Sequence, residues 1–431
     1  MRQDIYRIGM IGLGTVGAGV LDLLQRRRED LEQRLGRGIE LRRIAVRDLR
    51  RPRNFFAGFN LAELLTHDVD SILTDPDLDL VVEVAGGVES ARGWILKALQ
   101  GGKDVVTANK AVLATHGGEI FSAAIKSGRR VFYEASVAAA LPIIDMLQNG
   151  LVANQVTRIQ AILNGTCNYI LTRMEQDRLD FPSALRLAQE KGFAEADPSI
   201  DLSGGDSAHK LVLLAGIITR SHIPLDRVFT EGLDRITSED IEFARTLGYR
   251  IKMLATAKLH EEGSWELRVH PTLVDRDEIL SRVDNEFNAV AIRADAAGPM
   301  VIYGKGAGSH PTASSIVADI LRAGRGDGVG GDPHWSDPPE VIPMEQVKLR
   351  HYIRLRMKDN PGVMGRITSH MGMRGISIAS LQQPQAMMGR PVPVIFVTHA
   401  CEDRIVTRAL KDLEEARLIE GLSTRIRIED R

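Results

Sequence analysis

Apolar positions in the first 135 residues follow two alternating periods. Ile5–Ile11 is an almost continuous apolar run that ends in glycines, and Val16, Val20, Leu23 and Leu24 then recur at helical spacing. Apolar runs at 39–46, 78–85, 104–107 and 130–133 predict further strands, with helices over 91–99 and 117–127 between them. Apolar strands alternating with helices predict a parallel sheet covered on both faces, so residues 1–135 are expected to form an α/β domain.

The middle of the chain reads differently. A strand over 156–164 leads into helices over 169–175, 183–190 and 206–218, and strand patterns then dominate at 250–258, 265–269, 287–294 and 299–302. Strands that run together predict a mixed sheet, hence an α+β second domain over 136–325. The stretch GRGDGVGGDPHWSDPPE is too rich in Gly, Pro and Asp for a helix or central strand and marks a linker, placed at 326–348. In 349–431 the predicted order is strand 352–357, a turn at Asn360-Pro361-Gly362, helix 363–373, strands 376–382 and 392–399, helix 404–416 and strand 424–428. That βαββαβ order is the ferredoxin-like split arrangement.

Composition narrows the class of function. The 431 residues are 44% apolar and carry 55 Lys+Arg against 57 Asp+Glu, a net charge of −2, which gives no electrostatic case for nucleic acid or an anionic membrane. The basic runs at 26–28 and 50–53 are short, are flanked by acids and read as solvated faces. Two distant cysteines, Cys167 and Cys401, offer neither a disulfide framework nor a multi-cysteine metal site. Apolar runs such as 211–218 fall short of the ~18 residues a membrane span needs. The chain enters a strand without a signal-peptide pattern, so a cytoplasmic enzyme is expected and the glycosylation triplet Asn164-Gly165-Thr166 is discounted.

Gly12-Leu13-Gly14-Thr15-Val16-Gly17 follows the first strand directly and opens the first helix. The first glycine permits the tight turn, the second lets backbone approach a pyrophosphate, the third allows close helix–strand packing, and the helix N-terminus supplies donors. This context predicts dinucleotide binding. The second strand ends Ala45-Val46-Arg47-Asp48, which offers an arginine for a 2′-phosphate and an acid for a 2′-hydroxyl. Arg47 comes first, so NADP is favoured and NAD stays open; Arg47 could also be a plain surface residue.

Lys110, in Val105-Val106-Thr107-Ala108-Asn109-Lys110, lies at the carboxyl edge of a strand, where open α/β sheets bind ligands. The densest polar cluster, EKGFAEADPSIDLSGGDSAHK, holds Glu195, Asp197, Asp201, Asp206 and Lys210. Asp206 and Lys210 are four apart and share a helix face. The bland reading is an exposed ion pair; the sharper one is a lysine, held by an aspartate at the nucleotide site, that moves a hydroxyl proton.

These residues resemble homoserine dehydrogenase. Ala188, Gly192-Phe193-Ala194, Asp197-Pro198, Asp201-Leu202, Gly204, Asp206 and Lys210 fit that family's signature, and VVTANK, YEASVAAALPII, LNGTCNYI and YGKGAG extend the likeness over roughly 5–325. The resemblance implies a Rossmann-type domain, a catalytic and dimerisation domain, and NAD(P)-dependent exchange of L-homoserine with L-aspartate 4-semialdehyde in threonine, methionine and isoleucine biosynthesis. It implies Lys210 as acid/base, Asp206 orienting it, Glu195 and Asp201 on the substrate, Lys110 on cofactor and substrate, and Gly306 near the nicotinamide. It further implies a monovalent cation, sodium, on the Glu134 side chain and the carbonyls of Val137, Ala139 and Leu141. The tail resembles an ACT domain, with Asn360, Gly362 and Val363 at the turn that would take L-threonine as feedback inhibitor. A homodimer or homotetramer is expected, with 137–147 as a candidate dimer surface. The rival readings are a 2-hydroxy-acid dehydrogenase, which would want a histidine base, and a non-catalytic amino-acid sensor, which would not need Lys210, Asp206 and Glu195 together.

Overall fold

The computed structural model describes residues 4–50, 60–327, 337–384 and 391–429; residues 51–53 of one basic run and 328–336 of the expected linker lie outside them. Six strands, β1 (Ile5–Ile11), β2 (Gly38–Ala45), β3 (Leu65–Thr66), β4 (Leu80–Glu83), β5 (Asp104–Thr107) and β6 (Val131–Phe132), form an all-parallel sheet in the order β3-β2-β1-β4-β5-β6. The strand order reverses between β1 and β4, which places the ligand crevice at their carboxyl ends. β4 and β5 are buried at every residue, as central strands covered on both faces must be.

One covering helix comes from far along the chain. Ser309–Arg325, assigned by sequence to the second domain and not foreseen as a helix, lies against Thr15–Arg26 and sends Ala313, Ile316, Val317 and Ile320 into the core of Ile8, Met10 and Val20. Its buried face includes Thr312, Ala313 and Ser315, small residues that thin the apolar period but allow close approach. Gly19 serves the same contact, since a Cβ there would sit 2.7 Å from the Ser309 hydroxyl.

The second sheet holds β7 (Val156–Ile162), β8 (Phe229–Thr230), β9 (Tyr249–Leu259), β10 (Trp265–Asp275), β11 (Phe287–Ala294), β12 (Gly298–Lys305), β13 (Lys348–Lys358), β14 (Ile378–Gln382), β15 (Pro391–Thr398), β16 (Cys401–Glu402) and β17 (Thr424–Ile428). Its main order is β12-β11-β7-β9-β10-β17-β13-β15-β14, with β8 beside β10 and β16 beside β13. The sheet is mixed, as the pattern predicts. β10 runs six residues past the predicted strand and through Pro271, which lies opposite Met253 in the ladder.

The C-terminal residues keep the predicted βαββαβ order, with helices Val363–Met373 and Asp403–Glu415 over a core of Ile353, Leu355, Phe396, Val406 and Leu413. They do not form a detached unit, because β17 pairs in parallel with β10 and continues the central sheet. Nor does 137–147 offer the apolar surface expected of it: Val137, Ala138, Leu141, Ile143, Ile144 and Leu147 are all buried within the chain. Among the described residues no helix is long and apolar enough to cross a membrane.

Candidate functional site

The glycine motif divides as its spacing predicts. Gly12 has φ +106°, and a Cβ there would meet the Ala85 backbone at 2.7 Å. A Cβ on Gly17 would lie 2.5 Å from the Gly12 carbonyl, so both glycines are required by packing. Gly14 has nothing within 4 Å on that side, and the helix Thr15–Arg26 begins there with neither a side-chain cap nor an acid in its first turn. Thr15 and Val16 thus open an uncapped helix end facing free space, which fits a pyrophosphate. Arg47 and Asp48 are exposed just past the end of β2.

β4 and β5 end in a bonded pair of loops that sequence reasoning missed. Glu83, fully buried, accepts from the Thr107 hydroxyl (2.7 Å) and from the Ala85 and Gly86 N–H groups (2.9 and 3.1 Å). Burial pushes its carboxyl up, against these donors. The available signal was an acid inside an apolar strand. Asn109 then caps the helix Lys110–Ser127 through Val112 N–H (3.2 Å) and donates to the Gly87 carbonyl (2.6 Å). The helix starts seven residues before its predicted start, so Lys110 is its first residue.

Across the crevice, Gly204 (φ +87°) starts the helix Gly205–Thr219 and puts Asp206 in the first turn, where an acid suits the helix dipole, and Lys210 one turn on. The Lys210 ammonium donates to Asp206 Oδ2 (2.7 Å) and to the Leu163 carbonyl (2.6 Å), while Lys110 lies 3.2 Å from Asp206 Oδ1. One buried carboxylate therefore faces two ammoniums. Burial alone would raise the Asp206 carboxyl, but the charges of Lys210 and Lys110 and the hydrogen bonds from Lys210 and Asn164 hold it well below the usual carboxylate range.

Asn164 ties in the third acid. Its amide donates to Asp201 Oδ1 (2.7 Å) and Asp206 Oδ2 (2.9 Å), and its carbonyl oxygen caps the helix Gly165–Gln176 at Cys167 N–H (2.8 Å). Burial pushes the half-buried Asp201 carboxyl up, with the Asn164 hydrogen bond opposing it. Thus Asn164, met first as a discounted glycosylation triplet, is a structural hinge of the site. Glu195 is not drawn in. It is exposed on the loop before Ser199–Leu202, and its carboxylate has no partner among the described residues, while its carbonyl accepts from Gln189 (3.2 Å). His209 is half-buried with its imidazole pushed down by burial, and Lys210, not His209, reaches the crevice groups.

Gly306 follows β12 and lies against the Asn288 side chain. Among the described residues, the oxygens expected to hold a cation each have hydrogen-bond partners of their own, apart from that of Val137. Both Glu134 oxygens accept backbone N–H groups, from Ile144 and Asp145 (2.8 Å each), and burial raises this carboxyl to about 7. Ala138 and Ala139 have positive φ and turn the segment back on itself; the Ala139 carbonyl accepts from Ser315 (2.6 Å), and that of Leu141 from Ile143 N–H (2.8 Å). In the C-terminal unit, Gly362 (φ +86°) starts the helix Val363–Met373 from an exposed turn in which Val363 N–H donates to the Asn360 carbonyl (3.2 Å).

Comparisons with known proteins identify the family. The homoserine dehydrogenase family model matches residues 142–321, and that of the homoserine dehydrogenase NAD binding domain matches 12–134. The chain is 41% identical to the homoserine dehydrogenase of Pseudomonas aeruginosa over 98% of both chains, and 35% identical to that of Bacillus subtilis over 98% of both. A solved homoserine dehydrogenase from Thiobacillus denitrificans superposes with a TM-score of 0.93 at 39% identity, covering 99% of each chain. A glycine-motif sheet facing a lysine held by a carboxylate, in a chain so matched along its whole length, belongs to the homoserine dehydrogenase family.

Proposed function

We propose that this homoserine dehydrogenase exchanges the proton of the substrate oxygen at Lys210, as L-homoserine and L-aspartate 4-semialdehyde interconvert. The observation that carries this is the coordination of the Lys210 side chain. An ammonium has three N–H donors, and two are taken by Asp206 and the Leu163 carbonyl, so the third is free for a substrate oxygen. When bound, the nicotinamide would take or give the hydride. Lys210 in its amine form takes the hydroxyl proton as the carbonyl forms and returns it in the reverse direction. Asp206 fixes the direction of the Lys210 side chain, and Lys110, on the opposite wall, supplies a second positive charge where negative charge develops on oxygen. Glu195 and Asp201 take the substrate ammonium, for which carboxylates are the natural partners.

The cofactor roles of Gly12, Gly14, Thr15, Val16 and Gly17 rest on the open, uncapped helix end. NADP preference over NAD rests on exposed Arg47, and a hyperthermophilic archaeal homoserine dehydrogenase of the same fold has been solved with NADPH. Gly306 at the nicotinamide end belongs to the same proposal. Glu134 with the Val137, Ala139 and Leu141 carbonyls is a hard-oxygen set suited to sodium, and a cation there would favour the ionised Glu134. The C-terminal βαββαβ unit is proposed as an ACT module taking L-threonine at Asn360, Gly362 and Val363, in a cytoplasmic homodimer or homotetramer.

The test is absorbance at 340 nm with L-homoserine and NADP, repeated with NAD and with added L-threonine. Homoserine-dependent reduction, faster with NADP and slowed by threonine, is the expected result. A folded protein that binds NADP and reduces none of it would refute the reaction.

A further inference from the structure

The carbonyl that holds Lys210 has a second donor. Asn288, on β11 and 1% exposed, donates its amide N–H to Leu163 O at 3.1 Å, the same oxygen that accepts from Lys210 at 2.6 Å. Leu163 follows directly on β7, which pairs with β11, while the other neighbour of β11 is β12, where Asn288 stands opposite Gly304. Asn288 thus sits between the strand end that carries the Leu163 carbonyl and the loop 304–308. The orientation of its amide is fixed by chemistry, because Leu163 O can only accept. Its own Oδ1 is then buried without a partner among the described residues. An apolar side chain of the same size would avoid that orphan, so what asparagine adds here is the N–H on Leu163.

Gly306 completes the arrangement. A Cβ there would lie 2.0 Å from both Cγ and Nδ2 of Asn288, so the amide packs flat against the glycine Cα. Gly306 is absent from the residues of positive φ, which leaves room for the amide, not backbone conformation, as the reason for glycine. The same loop reaches Ser309, whose hydroxyl donates to the Thr15 carbonyl (2.7 Å) at the opening of the glycine-motif helix.

We propose that Asn288 is a positioning residue for Lys210, acting through the Leu163 carbonyl, and that Gly306 is glycine because it makes room for the Asn288 amide. The proposal rests on Lys210 as the proton-exchanging group. The amide turns the positive end of its dipole toward the shared carbonyl and disfavours a full ammonium beside it. Removing it favours the protonated lysine, which cannot take the hydroxyl proton, so the acidic limb of the rate profile moves to higher pH.

The experiment compares pH profiles of kcat for homoserine oxidation, with NADPH affinity by fluorescence, in wild type, Asn288→Ala, Gly306→Ala and the double variant. Asn288→Asp, of the same shape, carries the test if the alanine variant fails to fold. The expected result is an acidic limb moved upward by about half a unit or more in Asn288→Ala and Gly306→Ala. The double variant should shift no further than the larger single one, and the NADPH dissociation constant of Asn288→Ala should change less than twofold. An unmoved limb in a folded Asn288 variant, or a Gly306→Ala that alters NADPH affinity alone, overturns the proposal. Lys210→Ala separates the two layers: full turnover there removes the lysine reading, whereas a dead Lys210→Ala with an unmoved Asn288→Ala profile overturns only the role of Asn288.

Discussion

Two clusters of buried charge are built on opposite plans. At the crevice, Asp206 faces both Lys210 and Lys110, with Lys110 37% exposed and one side of the cluster open. At the seam where β17 joins β10 on one side and β13 on the other, charges are closed within the fold. Arg268, 1% exposed, donates to Glu266 (2.6 Å) and Glu429 (2.7 Å); Arg427 donates to Asp403 (2.8 Å) and Glu231 (3.0 Å); Arg354 donates to Asp240 (2.7 Å). Buried arginines paired on both sides can fix a register, and the donor left over, Arg427 Nη2, is closed off inside the fold from any ligand. A cluster with surplus ammonium and an open side has a donor left over for one.

That contrast can be broken by exchanging the readouts. Asp206→Asn keeps the shape of the crevice and removes the charge that holds both lysines. It should lower kcat, counted per folded molecule, by roughly 10²–10⁴-fold, the span of general acid–base effects, whatever stability the lost buried charge costs. Arg427→Leu takes from Asp403 and Glu231 one of their two guanidiniums, leaving Arg425, and should destabilise the fold by about 3 kcal/mol in denaturant titrations. The kcat per folded molecule should stay within about twofold, well inside the ~1.4 kcal/mol that a tenfold change represents. If the two variants traded effects, the division between chemistry and scaffold would be wrong.

Acid should sharpen the comparison. His351, fully buried in β13, has its imidazole pushed down to about 3, first by burial and then by nearby Arg425 and Arg427, with Asp403 opposing. The unfolded ring protonates near 6.5 and the folded ring does not, so this stability is complete above pH 6.5 and is lost as pH falls from 6.5 toward 3. Asp206 has the depressed pKa of a paired carboxylate, and its share is lost only below about pH 4, where the unfolded acid titrates. The Tm of His351→Leu relative to wild type should therefore rise as pH falls from 6.5 to 4.5. A difference that stays flat over that window would take the seam histidine out of acid unfolding.

The smallest effect is expected at exposed Arg47. Arg47→Ala should weaken NADP roughly tenfold more than NAD in binding titrations, the loss of one charge-assisted phosphate contact. Equal losses for both cofactors would leave Arg47 a surface residue.

The same contrast decides what could be read from the chain. Asp206 and Lys210 are four apart on one helix, and the glycine motif is contiguous, so local spacing revealed both. Glu83, Asn164 and Asn288 act through bonds to residues 24 to 125 positions away, which no local period records. The seam was invisible for a related reason. Arg268, Glu266 and His270 alternate along one strand with apolar neighbours, and Arg268 gains its second carboxylate, Glu429, only where β17 arrives from the far end of the chain. The helix Ser309–Arg325 was missed because small residues on its buried face blur the helical period. The family resemblance implied Glu195 on the substrate, yet its carboxylate has no partner among the described residues, so that role depends on substrate.

The most direct test of the central claim is Lys210→Ala, followed by absorbance at 340 nm with L-homoserine and NADP and by NADPH fluorescence on the same preparation. The account predicts that turnover is lost while NADPH affinity stays within about twofold, a change below 1 kcal/mol. Turnover near the wild-type rate with the cofactor still bound would contradict it.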